Sequence, residues 1–239
     1  MNMTSPSTTA RSQPMWRGAP CSAFALVGLL APWSFAEAGE PPGSEPGVQA
    51  PAVPAETPGR EWSFSASVCG YFVPDDDDYA QPTFAADRGW LHLEARYNYE
   101  ALDTGSFWVG YNLAGEGTIT WEFTPMLGGV VGENMGFAPG FKGSVGWWKL
   151  ELYSEGEFVF QADGDASDFF YSWSELTVSP WDWFRAGLVT QRTRAYDAER
   201  DIQRGVLVGF SHRGVDLTTC VFNPDESSPL VTVSVGVNF

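Results

Sequence analysis

His92, Glu94 and Arg96 stand two residues apart, and acidic side chains return at Glu151, Glu155 and Glu157 with the same odd–even parity inside their segment. A spacing of two places such groups on one face of a β-strand. Gathered inside one enclosure, they would form either a wall that concentrates cations or a set of mutually paired buried charges. Glu122, Lys149 and Arg185 share the inward parity of their own segments, so His92, Glu94, Arg96, Glu122, Lys149, Glu151, Glu155, Glu157 and Arg185 make up the candidate interior lining. Three further arginines, Arg192, Arg194 and Arg204, fall on the opposite, apolar face of their segments, where forked guanidinium groups suit phosphate. Asp75 to Asp78 is a run of four carboxylates that could hold a divalent cation, although it lacks the glycine and distant glutamate of an EF-hand loop. The chain has two histidines, His92 and His212. Ser211 precedes His212 directly, so the two point to opposite faces of a strand and make no nucleophile–base pair. No phosphate loop, zinc spacing or cofactor motif is present, so neither a cofactor nor a metal is expected.

The elements that would carry these groups are strands. Leu91, Leu93, Ala95, Tyr97 and Tyr99 alternate with His92, Glu94, Arg96 and Asn98, and segments of about ten residues repeat this pattern from Trp62 onward, punctuated by glycine, proline and aspartate. The last run ends in Val231, Val233, Val235, Val237 and Phe239 on one face. A chain that repeats a strand with one apolar and one polar face can close into a barrel whose outside meets lipid. Aromatic residues are abundant, with 11 tryptophans, 8 tyrosines and 17 phenylalanines, as interfacial girdles require. After residue 38 no segment approaches the roughly 20 apolar residues of a membrane helix, and the net charge of −17 excludes a nucleic-acid binder.

The amino end fits export. Arg11 and Arg17 precede an apolar stretch from Ser22 to Phe35, and Ala36-Glu37-Ala38 is a small-x-small cleavage site, which makes residues 1–38 a signal peptide. Cys21 precedes that stretch, which argues against a lipoprotein. Gly39 to Arg60 is rich in proline, glycine, alanine and glutamate and reads as a disordered periplasmic linker. The barrel then occupies residues 61–239.

Loop lengths set the topology, since turns at the periplasmic end should be short. Counting back from Phe239, Ser211–Gly214, Ser179–Asp182 and the turn at Trp148 fall at the end that carries Phe239. Asn223–Pro229, Tyr196–Arg200 and Ala162–Asp168 fall at the other. Counting forward puts the acidic stretch Pro74–Asp87 outside and Ala101–Thr104 inside. The two counts agree if Thr118–Phe137 holds an extra strand near Gly128–Gly132, after a turn at Pro125–Leu127 and before an outer loop at Glu133–Gly136. This gives twelve strands, near 62–73, 88–100, 105–114, 117–125, 128–133, 138–147, 149–161, 169–178, 182–195, 200–211, 214–223 and 230–239, with ten as the alternative if the glycine-rich stretch is coil. Cys69 and Cys220 take inward parity on the first and eleventh strands. Two inter-strand steps of about 4.8 Å keep them beyond the roughly 7 Å limit of a disulfide.

The run ending at Phe239 resembles the terminal signal of bacterial outer-membrane β-barrel proteins, which implies that Phe239 is read by the barrel-insertion machinery. Ala95-Arg96-Tyr97-Asn98-Tyr99-Glu100, Thr104-Gly105-Ser106-Phe107-Trp108-Val109-Gly110-Tyr111-Asn112 and Asp201-Ile202-Gln203-Arg204-Gly205-Val206-Leu207-Val208-Gly209-Phe210 are similar to blocks of uncharacterised proteobacterial outer-membrane barrels. The resemblance implies an all-β antiparallel transmembrane barrel and carries no functional residue across. The expectation is a monomer in the outer membrane, in contact with lipid and with lipopolysaccharide through Arg192, Arg194 and Arg204. Its function is expected to be that of a small passive channel with an acidic lumen or a plugged structural barrel, with a lipid-modifying enzyme as the alternative.

Overall fold

The computed structural model describes residues 61–74, 76–132, 135–162, 168–195 and 201–239. The signal-peptide and linker expectations, Asp75, the Tyr196–Arg200 loop and the Arg194 side chain lie outside the described part. Thirteen strand segments follow one another: β1 (Ser63–Phe72), β2 (Tyr79–Arg88), β3 (Leu91–Tyr97), β4 (Thr104–Tyr111), β5 (Leu113–Gly115), β6 (Thr120–Gly132), β7 (Gly136–Trp147), β8 (Leu150–Gln161), β9 (Phe169–Trp181), β10 (Phe184–Ala195), β11 (Asp201–His212), β12 (Val215–Phe222) and β13 (Leu230–Asn238). β5 continues β4 beyond a break at Asn112, and both pair with β6. β1 pairs with β13 from Ser65↔Asn238 to Phe72↔Val231, so the antiparallel sheet closes into a twelve-stranded barrel. The seam is completed at Phe239, whose backbone exchanges two 2.9 Å hydrogen bonds with Phe64 and whose ring stacks on it.

The strand count matches the sequence reading, but two placements need correction. Pro74–Asp87 is not one long loop, because Tyr79–Arg88 is a strand between β1 and β3. Pro125–Leu127 is not a turn, because β6 runs unbroken from Thr120 to Gly132. Proline misleads in both places, and the ladder explains why it is tolerated. A proline has no N–H to donate and survives in a sheet only where no hydrogen bond is required. Pro82 lies just past the last β2–β3 pair, Thr83↔Arg96. Pro125 sits opposite the gap between β4 and β5. Pro139 falls where the β7–β8 register skips from Phe137↔Phe160 to Gly140↔Glu157, and Pro180 where the β9–β10 register shifts.

The two rims differ. At the end carrying Phe239, connections shrink to pairs such as Trp148-Lys149 and Arg213-Gly214, the latter with both residues at positive φ as a type I′ turn needs. The opposite rim carries the longer connections, including 73–78, 98–103 and 223–229. Ala101–Thr104, expected beside Phe239, therefore belongs to the far rim, and this follows directly from the added strand β2. Among the described residues, the exposed tryptophans Trp62, Trp90, Trp121, Trp147, Trp148, Trp181 and Trp183 all gather at the short-turn rim. Trp108 and Trp173 instead point inward and are buried. Between the rims, Val68, Leu93, Val109, Leu127, Leu152, Leu176, Leu188, Val206 and Val235 form an exposed apolar band, the surface a lipid-facing barrel presents.

Cys69 and Cys220 face the interior, fully buried and unbridged, with β13 between them through Cys69↔Ser234 and Cys220↔Thr232. A maleimide reagent is expected to leave both thiols unlabelled in the folded barrel and to label both in urea, as counted by mass. Rapid labelling of the folded protein would contradict a closed interior at that height.

Candidate functional site: a barrel interior closed by crossing charges

Inward parity places His92, Glu94 and Arg96 side by side on β3, all buried. The Arg96 guanidinium binds Glu94 through Nε and donates from Nη1 to Glu157 Oε2 at 2.8 Å on β8, a bond that crosses the lumen. Its Cζ lies 4.0 Å from the ring centre of Tyr99 and 4.5 Å from that of Trp108. Lys142 on β7 reaches back to Glu94, and Tyr99 and Tyr153 each donate a 2.7 Å hydrogen bond to Glu155. The Arg96–Glu157, Lys142–Glu94 and Tyr99–Glu155 bonds chord the barrel. They also meet the condition for burying charge, since each ion has an opposite partner and further hydrogen bonds.

The connection Asn98–Asp103 supplies a part that alternation did not reveal. Asn98 and Asp103 adopt positive φ, the Asn98 side chain accepts the Asp103 amide at 2.9 Å, and the turn folds inward. It buries Tyr99, Glu100 and Ala101 within the lumen. Glu100 accepts a 2.5 Å bond from Ser106 and a 3.3 Å bond from Trp108 Nε1. Burial pushes its carboxyl above the ordinary range, with the Arg96 charge pulling the other way. Two glycines make room for the indole: a Cβ on Gly128 would lie 2.5 Å from the Trp108 ring, and one on Gly140 3.0 Å from it. Gly128→Val is expected to dislodge Trp108 and cost about 1–3 kcal/mol by overpacking, read as a lower urea midpoint. An unchanged midpoint would show that the ring has other room.

Beside this cluster, where the register sets Trp173 opposite Glu155 and Tyr171 opposite Glu157, Trp173 on β9 meets Phe222 on β12 edge-to-face at 5.4 Å, and Tyr171 meets Tyr99 at 6.1 Å. Tyr71, Trp173 and Phe222 are 0% exposed, so water does not reach them. Below it, toward Phe239, the interior opens into a blind vestibule of about 510 Å³ lined by Asp87, His92, Asn112, Glu122, Thr124, Lys142, Ser144, Glu151 and Tyr153. A polar chain leads inward from it. Thr124 donates to Asn112 at 2.7 Å, Asn112 to Asp87 at 2.7 Å, and His92 joins Asp87 at 2.7 Å to Glu94 at 3.1 Å.

The residues singled out in the sequence divide by position. His92, Glu94, Arg96, Glu155 and Glu157 lie in the buried cluster, while Glu122 and Glu151 line the vestibule. Arg185 faces inward and donates to Thr218 at 2.6 Å. Lys149 is exposed at the rim, its Nζ on the Pro180 carbonyl at 2.6 Å, because its hairpin ends there and carries it past the interior. Arg192 and Arg204 point outward on β10 and β11. Asp76, Asp77 and Asp78 are exposed, and two of them accept backbone amides of their own turn. No cluster able to hold a metal occurs among the described residues. Ser211 bonds Asp216, and His212 is exposed. Alternation set Tyr99 outward with Leu91, Leu93, Ala95 and Tyr97, but the turn after β3 carries it and Glu100 inward; Trp108 and Lys142 share the inward parity of β4 and β7, and their roles depend on contacts across the lumen.

No protein-family model and no curated protein matches the chain. Solved structures do. The chain is similar to the KdgM porin, with a TM-score of 0.54 at 11% identity over 73% of this chain and 99% of that one. A second structure, the KdgM porin in complex with disordered oligogalacturonate, gives a TM-score of 0.55 over the same shares at 11% identity. The outer membrane protein Omp33 of Acinetobacter baumannii is more distant, with a TM-score of 0.45 at 11% identity over 76% and 100%. The closed antiparallel wall and the likeness to the two KdgM structures agree on the architecture, which is that of a bacterial outer-membrane β-barrel.

Proposed function

We propose that this protein is a monomeric outer-membrane channel for small cations that rests closed. Residues 39–60, the short-turn rim and the vestibule face the periplasm, and the Arg96 cluster with the Asn98–Asp103 turn shuts the passage. Phe239, stitched into the seam, is the residue the insertion machinery reads. The observation that carries the reading is the charge of the interior. Carboxylates of Asp87, Glu94, Glu100, Glu122, Glu151, Glu155, Glu157, Glu175 and Asp216 outnumber the cations of Arg96, Lys142 and Arg185 among the described residues, and a low-dielectric wall of that sign draws cations. Kinship of fold with a porin supports a channel as analogy only.

The complete burial of Tyr71, Trp173 and Phe222 favours a second reading, a structural barrel with no passage. The lipid-modifying enzyme has less support. His92 has a carboxylate at each ring nitrogen and no hydroxyl nucleophile among its hydrogen-bond partners. Single-channel recording of the refolded mature chain under a salt gradient tests the proposal. Rare cation-selective openings, with selectivity lowered by Glu122→Gln and Glu151→Gln, are expected. A bilayer that stays silent at every voltage would favour the structural barrel.

A further inference from the structure

On the outside of the wall, a groove of about 610 Å³ crosses β8 to β11, floored by Leu152, Leu176, Leu188 and Val206. Arg204, Pro224 and Asp225 line its end nearest the long-loop rim. Arg204 stands where the neighbouring wall stops, since the β11–β12 ladder ends at Gly205↔Phe222 and Asn223 donates its amide to the Arg204 carbonyl at 2.7 Å. Arg192 projects from β10 on the same outer face. The register Thr190↔Arg204 and Arg192↔Ile202 makes the two arginines diagonal neighbours, about 7–8 Å apart at the backbone. Arg192 lies 5.8 Å from the Phe170 ring, and its buried Nε has no hydrogen-bond partner. Neither arginine forms an ion pair with a carboxylate among the described residues.

Two guanidiniums with no ion pair among the described residues, set above an apolar slot, outnumber the single Asp225 carboxylate at the groove's end and complement a ligand with an anionic head and a hydrocarbon tail. At a lipid-facing surface near the long-loop rim, that ligand comes from the outer leaflet. We propose that the groove is a lipopolysaccharide site in which Arg192 and Arg204 clasp a phosphate of the glycolipid while one acyl chain lies along Leu152, Leu176, Leu188 and Val206. A phosphate monoester carries close to two negative charges at neutral pH, enough to satisfy both guanidiniums. A zwitterionic phospholipid brings a single negative charge and its own ammonium, which the arginines would repel. The inference rests on the outer-membrane reading above and is independent of whether the lumen conducts.

The test is native mass spectrometry of the protein extracted in mild detergent from outer membranes, with the same measurement on refolded protein given purified lipid A. One bound lipopolysaccharide per barrel is expected. Arg192→Gln with Arg204→Gln should lower occupancy by roughly tenfold or more, since both charge-assisted contacts are lost. Leu188→Trp, which fills the slot and leaves the arginines in place, should do the same. Heat-modifiable mobility on gels establishes that each variant is folded. A phospholipid adduct in place of lipopolysaccharide, no adduct with purified lipid A, or undiminished occupancy in the double variant would overturn the proposal. Failure of the outer-membrane reading shows separately, as absence of the chain from that fraction while the refolded protein still binds lipid A.

Discussion

Arg96→Ala is expected to destabilise the barrel by about 3–5 kcal/mol, the usual cost of leaving buried charges without their partner. The substitution removes the cation that bonds Glu94 and Glu157 and lies 3.8 Å from Glu100, while the carboxylates stay buried. Lys142 still answers Glu94, so Glu157 and Glu100 bear most of the loss. Arg96→Lys should rescue only part of it, because a lysine cannot fork between two carboxylates or lie flat between Tyr99 and Trp108. Urea titration of tryptophan fluorescence in vesicles reads the difference. A loss below about 1 kcal/mol would place the cluster with ordinary solvent-screened pairs and would mean that water already reaches it.

Removing the inward lid should change conduction more than any single change of charge. With Tyr99→Ala and Trp108→Ala together, the Arg96 side chain loses both of its aromatic faces and Glu155 loses one hydrogen-bond donor, so the crossing at this height opens. The expected result is a shift from rare openings to sustained cation-selective steps in a planar bilayer, with stability lowered by about 3–5 kcal/mol for the indole alone. Sustained silence in a variant with normal heat-modifiable mobility would locate the true block at Trp173 and Phe222 instead.

The sequence shows most of the wall because a lipid-facing strand needs an uninterrupted apolar face, and that need writes a period of two into β3, β8 and β13. It conceals β2, where Pro82 and the Ala85-Ala86 pair blur the alternation, and β6, where Pro125 and the Gly128-Gly129 pair mimic a turn. The two errors offset each other in the strand count, which is why Cys69 and Cys220 still land on strands separated by one. The buried cluster is half visible by the same logic. Parity aims Glu94, Arg96, Glu155 and Glu157 inward, but whether they line water or pair with each other depends on how far the opposite wall stands. That distance is set by Trp108 resting on Gly128 and by the turn that inserts Tyr99 and Glu100, neither of which a local pattern encodes.

The gathering of exposed indoles on one rim gives the barrel a fixed draught in a bilayer. Indoles hold the headgroup level, so Trp62, Trp90, Trp148 and Trp183 set the depth of the short-turn end whatever the membrane's thickness. Any mismatch is taken up at the other rim, where phenylalanine and tyrosine give a weaker hold. The vestibule therefore keeps a constant distance from its own aqueous phase. The arginine pair on β10 and β11 rises or sinks relative to the headgroups as the bilayer thins or thickens, so lipid thickness, acting from outside the wall, tunes the contact at one end of the molecule and leaves the other untouched.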